Sequence, residues 1–184
     1  MQFTGTQLTG TTGTSISRLE HWAKIKSDRP ALYSKDTNQG PAAWRQVTWK
    51  QYRDSVYQVG SALIAQGFQK GECACIFSRN RPELVFAQYG VIAAGGFCSS
   101  IYVTNTAEQA AYILEHSQAR TVFVEDQTQY DKLVRVRAQL TGVKKVILFE
   151  KVQGADPEWT LSFAEFLKSG LGEQKNEIEL KKRI

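Results

Sequence analysis

The 184-residue sequence is poor in residues that staple, ligate or catalyse: three cysteines, two histidines, one methionine and four prolines. Cys73, Cys75 and Cys98 are too few and wrongly spaced for a four-ligand zinc site. Cys73 and Cys75 lie two apart in an apolar run, which puts them on one strand face and poorly placed to bond each other. All three are expected as reduced, mostly buried thiols of a reducing compartment. His21 and His116 each lack a second ligand at metal spacing, so no metal ligand is assigned. A long hydrophobic run is missing too. The most apolar stretch, 84–94, is broken by Gln88 and falls short of the ~20 residues that cross a bilayer. Met1-Gln2-Phe3-Thr4 lacks the charged start and apolar run of a signal peptide, so the cytoplasm is the expected location.

Neither sign of charge dominates. Twenty-three Lys+Arg stand against 18 Asp+Glu, a net +5 that suits an ordinary solvated surface. Nucleic acid is not an expected partner, because no recognition motif and no interleaved aromatic-basic surface is present. Lys132, Arg135 and Arg137, followed by Lys144 and Lys145, form a basic stretch that would suit peripheral association with an anionic membrane. Phosphate-loop, paired-histidine metalloprotease and nucleophile-elbow motifs are all absent. The Thr/Gly-rich segment 9–14 fails as a phosphate loop: no strand precedes it and no Lys follows within it.

What the sequence does have is a tight alternation of helix and strand between residues 48 and 125. Tyr52, Val56, Val59 and Leu63 make the apolar stripe of a helix over 48–66. Gly67 ends it, and 73–77 has strand length. A second helix spans 82–94, stopped by Gly95-Gly96; a strand follows at 97–103, a helix at 106–116 and a strand at 121–124. Capping boxes begin at Thr48, Thr106 and Ser162, each with Gln or Glu three residues on. Further along, the pattern predicts a helix over 127–140, a fourth strand at 144–149, a loop at 153–159 and a short helix at 162–169. Upstream, a helix over 17–26 precedes a hairpin of strands at 31–34 and 44–48 around the loop 37–41. The expected fold is α/β: a doubly wound, mostly parallel, flavodoxin-like sheet with flanking helices and a small added hairpin. Residues 1–14 are expected to be a flexible lead-in, 15–170 the folded unit, and 171–184 a charged linker that offers no core.

In such sheets ligands bind beyond the carboxyl ends of the strands. Asn80 and Arg81 follow one strand, and Tyr102 and Thr104 follow the next. These four are the candidate cleft-edge contacts. Asn80 is placed to cap the following helix and Arg81 to meet an anion, whereas Tyr102 reads chiefly as a core or interface aromatic. The helix over 82–94 is apolar around more than half its circumference, through Leu84, Val85, Phe86, Tyr89, Val91 and Ile92. That predicts an uncovered apolar face and self-association.

Ser78-Arg79-Asn80-Arg81-Pro82-Glu83-Leu84 resembles a segment of the adenylate-forming enzymes, with Leu84 in place of their usual Trp. Asp28-Arg29-Pro30-Ala31-Leu32 and Val47-Thr48-Trp49-Lys50-Gln51-Tyr52 extend that resemblance upstream. The run 93–106 and its continuation to Glu125 resemble the long-chain acyl-CoA synthetases, particularly their bubblegum-like branch. The resemblance covers residues 15–150. It implies an amino-terminal part of an ATP-dependent long-chain fatty acid–CoA ligase, with ATP, Mg²⁺, CoA and a fatty acid as its ligands. The remainder of the synthetase would be its partner. The family's phosphate loop, its acidic ribose and Mg²⁺ ligand and its late catalytic Lys have no counterpart here. No catalytic or cofactor-binding residue is therefore assigned, and the chain alone is expected to bind no cofactor and to be inactive. Two other readings stay open: a stand-alone interaction module built from the same unit, and a piece of an aryl-CoA ligase or an amino-acid adenylation domain.

Overall fold

The structure, a computed structural model, describes residues 13–35, 43–172 and 174–184. The expected lead-in, except Gly13 and Thr14, and the hairpin loop 37–41 lie outside the described residues. Thr14 accepts a hydrogen bond from the Ser17 amide at 3.1 Å and so opens helix α1 (Ser15–Ile25). Strands β1 (Pro30–Lys35) and β2 (Trp44–Thr48) form the expected antiparallel hairpin. Thr48 then caps α2 (Trp49–Ala65) through a complete capping box with Gln51.

Five further strands form one sheet: β3 (Cys73–Phe77), β4 (Phe97–Ile101), β5 (Thr121–Val124), β6 (Lys145–Leu148) and β7 (Thr160–Ser162). Their order is β4-β3-β5-β6-β7, parallel throughout. Counted along the chain this is 2-1-3-4-5, the flavodoxin-like order. The crossovers are α3 (Pro82–Ala93), α4 (Ala107–His116) and α5 (Gln127–Arg135), and α6 (Phe163–Ser169) follows β7. Alternate residues of each strand feed opposite layers. Ala74, Ile76, Phe123 and Ile147 pack with α1, α2, α3 and α6. Cys75, Phe77, Val122, Val124, Val146 and Leu148 pack with α4 and α5. With both faces covered, the central strands read as unbroken apolar runs.

Three corrections concern the carboxyl-terminal third. Residues 160–162 form a fifth parallel strand, β7, where only a loop and a helix start were expected. The helix expected over 127–140 ends at Arg135, where Val136 takes φ −107°, and a 3-10 turn covers Arg137–Gln139. The segment 171–184, expected to offer no core, contains α7 (Gln174–Arg183), whose Leu180 is only 2% exposed. Its charged stretch hides one apolar anchor, and Gly60 on α2 leaves the space for it: a Cβ there would lie 2.7 Å from Leu180 Cδ1. Arg183 closes the joint by donating to the carbonyls of Phe68 at 2.9 Å and Ala94 at 3.1 Å.

Two expectations about exposure also change. Helix α3 leaves none of its large apolar side chains exposed, because α2 and the sheet enclose it. The exposed ones lie elsewhere, among them Trp44 on the hairpin, Phe97 on edge strand β4 and Tyr112 on α4. Of the three free cysteines only Cys75 is buried. Cys73 opens its strand and Cys98 lies on the edge, so both are half-buried.

Candidate functional site

The strand order reverses at β3, between β4 and β5, so the crevice expected of this topology opens beyond Phe77 and Val124. The chain continues there as Ser78-Arg79-Asn80-Arg81 on one side and Glu125-Asp126 on the other. Glu125 is buried and held by the sheet: its amide donates to the Phe77 carbonyl at 3.1 Å. Its carboxylate accepts the Arg79 backbone amide at 2.8 Å and the Arg79 Nε at 3.3 Å. A second Arg79 nitrogen reaches Asp126 at 3.1 Å, while the other oxygen of Asp126 caps α5 through the Gln129 amide at 3.0 Å. The switch point is thus bridged by one exposed arginine across two carboxylates.

The residues singled out from sequence surround this bridge. Asn80 is exposed and does not cap α3; the N-cap position belongs to Arg81, which makes no capping bond. Pro82 opens the helix without an N–H to satisfy, and the Glu83 carboxylate accepts its own backbone amide. Arg81 binds Glu83 at 2.9 Å and Glu150 at 2.7 Å, and its guanidinium lies 5.5 Å from the centre of the Phe149 ring. Arg45 of the hairpin takes the other Glu83 oxygen at 3.0 Å. Burial alone would raise the Glu83 carboxyl, but bonds from Arg81, from its own backbone amide and from Arg45 outweigh it and hold it below the usual range.

Tyr102 is 77% exposed, so it is not a core aromatic: β4 is an edge strand, and it ends at Ile101. Thr104 is exposed in the same turn, which Lys132 on α5 fastens by donating to the Val103 carbonyl at 2.7 Å. No hydrogen bond, ion pair or ring contact joins Asn80 or Arg81 to Tyr102 or Thr104 among the described residues. Arg79 and Glu125 escaped the sequence reading. Their signal was opposite charges immediately after two adjacent apolar strands. The basic stretch is also engaged internally, since Lys132 holds Val103 and Arg137 pairs with Asp156 at 2.6 Å over the Trp159 ring.

Among the described residues no group of three His, Cys, Asp or Glu is placed to hold a cation. Both arginines at the strand ends face carboxylates of the chain itself. No catalytic step is assigned to them. No helix among the described residues is long and apolar enough to cross a membrane.

Comparison with known proteins supplies the family. A long-chain-fatty-acid–CoA ligase of Xenopus laevis is 32% identical over 123 residues, 67% of this chain and 16% of the relative. The Drosophila melanogaster long-chain-fatty-acid–CoA ligase heimdall is 30% identical over 121 residues, 66% of this chain and 18% of its own. A Gallus gallus long-chain-fatty-acid–CoA ligase is 31% identical over 159 residues, 85% of this chain and 20% of the relative. The chain therefore spans about a sixth to a fifth of the curated relatives it matches. Among solved structures, the anthranilate CoA ligase AuaEII bound to anthranoyl-AMP superposes with a TM-score of 0.73. It is 23% identical, over 83% of this chain and 27% of that one. Acetoacetyl-CoA synthetase from Streptomyces lividans gives 0.72 at 21% identity, over 83% of this chain and 24% of that one. These two establish the shared fold. The profile of the AMP-binding enzyme family matches residues 19–179, and the chain belongs to that family, with curated relatives that are long-chain fatty acid–CoA ligases of the bubblegum type.

Proposed function

We propose that this chain is the amino-terminal α/β portion of an ATP-dependent long-chain fatty acid–CoA ligase. In this reading it supplies scaffold and one edge of the substrate cleft, and the nucleotide chemistry resides in other parts of a longer protein. The observation that carries it is a coincidence of two features. The relatives at about 30% identity are named as long-chain-fatty-acid–CoA ligases, and the arginines beyond β3 are held by carboxylates of the chain itself. The proposed parent joins fatty acid and ATP into an acyl-adenylate with release of pyrophosphate, then passes the acyl group to the CoA thiol with release of AMP. Arg79, Glu125 and Arg81 then act as positioning residues that fix the strand ends against the rest of the enzyme.

The test is a graft. The chain replaces the aligned segment of the Xenopus laevis ligase, and oleate-dependent CoA consumption is measured for the chimera and for the chain alone. The chimera is expected to activate oleate in preference to anthranilate, and the chain alone to match a no-protein control. Pyrophosphate exchange by the chain alone, or a folded chimera without oleate activity, would overturn the reading.

A further inference from the structure

A groove of about 850 Å³ opens at the amino ends of the strands, on the edge opposite Arg79 and Glu125. Cys73 opens β3 at its mouth. Cys75, two residues on, shares its strand face and lies buried behind it. The Ser117 hydroxyl, just past α4, lies 3.4 Å from the Cys75 sulfur and 3.4 Å from the Leu114 carbonyl. Cys73 is the cysteine that lines the groove, and its own sulfur donates to the Ala74 carbonyl at 3.8 Å. The apolar part of the wall is Phe97, 68% exposed, with Leu114, Leu140 and Val143. The charged groups facing Cys73 are the Glu72–Arg120 pair at 3.1 Å, Glu115 and Lys144, two of each sign.

We propose that Cys73 is a covalent modification site whose thiolate adds to uncharged α,β-unsaturated carbonyl compounds bearing an apolar tail. The sulfur lone pair forms a C–S bond at the β-carbon, and the C=C electrons pass to the carbonyl as an enolate. Water then protonates the α-carbon and leaves a thioether. Nothing is oxidised and no group departs. The tail lies along Phe97 and Leu114, and the balanced charges at the rim favour a neutral reagent over an ionic one.

Electrostatics select Cys73 among the three thiols. The hydrogen bond from Cys75, opposed by burial and aided by Ser117 and the Ser99 backbone, brings its pKa down to about 7. Cys75 is driven far up by that same bond and by burial. Cys98, on the other face of the sheet, is pushed up to about 12 by burial first and by Cys73 second. These shifts favour ionisation at Cys73 over the other two thiols.

The magnitude of the effect is bounded. A thiol of ordinary pKa near 8.5 is roughly 3% thiolate at pH 7, so Cys73 gains about fifteenfold in ionised fraction. Its lower basicity returns about fivefold of that, for a Brønsted slope of ~0.4–0.5. The net gain is about threefold, and the position of the pH profile is the sharper readout.

The experiment treats the reduced 184-residue chain with trans-2-nonenal or with propenal from pH 5.5 to 9.5, read by intact mass and peptide mapping. One adduct is expected, on Cys73, with a rate midpoint near pH 7. The nonenal-to-propenal rate ratio should exceed that of N-acetylcysteine severalfold. Cys75→Ala should react about threefold slower at pH 7 yet faster at pH 9.5, a crossing that loosened packing alone does not produce. Cys75→Ser, which keeps a donor, should stay close to the parent. First labelling at Cys75 or Cys98, or a parent midpoint at or above 8.5, would refute the activated thiol. A nonenal-to-propenal ratio equal to the free thiol's would refute the tail site.

Discussion

A methyl added at Gly90 on α3 would sit 2.3 Å from Val59 Cγ1 and 3.2 Å from the Val56 carbonyl of α2. The two helices therefore touch through a missing side chain. Gly90→Ala is expected to cost about 1–3 kcal/mol by overpacking, whereas Gly142→Ala, with nothing within 4 Å, should stay within about 0.5 kcal/mol. Urea unfolding of the two variants checks this, and equal costs would count against the close approach. Glu83 provides a pH test. Its folded pKa lies below the usual value, so its stabilising contribution is complete above the unfolded value of about 4.3 and is lost as pH falls through the folded one. The parent should be more stable than Glu83→Gln at pH 7, and the gap should close as the solution is acidified below pH 4. A gap that persists at pH 2.5 would mean that the ion pairs with Arg81 and Arg45 are not its source.

At the scale of elements, α7 shows how one residue decides whether a polar segment docks. Leu180 is 2% exposed and Ile178, two residues earlier, is 49% exposed. Leu180→Ala is expected to cost about 2–4 kcal/mol and to release amide protection across the helix in hydrogen exchange. Ile178→Ala should change little by either measure. Equal effects would show that α7 is held by Arg183 and its two carbonyl bonds rather than by its apolar anchor. The three capping boxes behave differently, because each acts within four residues of chain and needs no partner helix. Thr106→Ala should cost about 1 kcal/mol by that local loss.

For the whole molecule, the decisive feature is a sheet buried on both faces. The α4–α5 layer contains Trp159, and the opposite layer contains Trp49 in a ring ladder with Trp22 and Tyr52. The two layers share strands β3, β5 and β6, so neither can empty its core alone. Urea unfolding followed by tryptophan fluorescence and by far-ultraviolet circular dichroism should give one coincident transition. Two separated transitions would mean that the layers are independent units and that this part does not fold as one body.

Helix and strand positions in the first two thirds follow from the sequence alone because their determinants are local. The strand at 73–77 is an apolar run of five residues, and Thr48, Gln51, Thr106 and Gln109 mark helix starts within one turn. The doubly wound, flavodoxin-like character follows from the alternation of elements and the handedness of crossovers, whereas the full 2-1-3-4-5 order includes β7 and comes from the folded chain. Strand β7 was not legible, since three residues carry no periodicity and its pairing with β6 depends on a neighbour 14 positions upstream. Nor was the switch-point bridge: Arg79 and Glu125 are 46 residues apart, and only the side-by-side placement of β3 and β5 brings them together. The same is true of Ser117 beside Cys75, of Leu180 over Gly60, and of Tyr102 left in solvent at a sheet edge. Local chemistry chose the elements; which strand ends meet, and which apolar side chains find cover, depends on distances that only the folded chain sets.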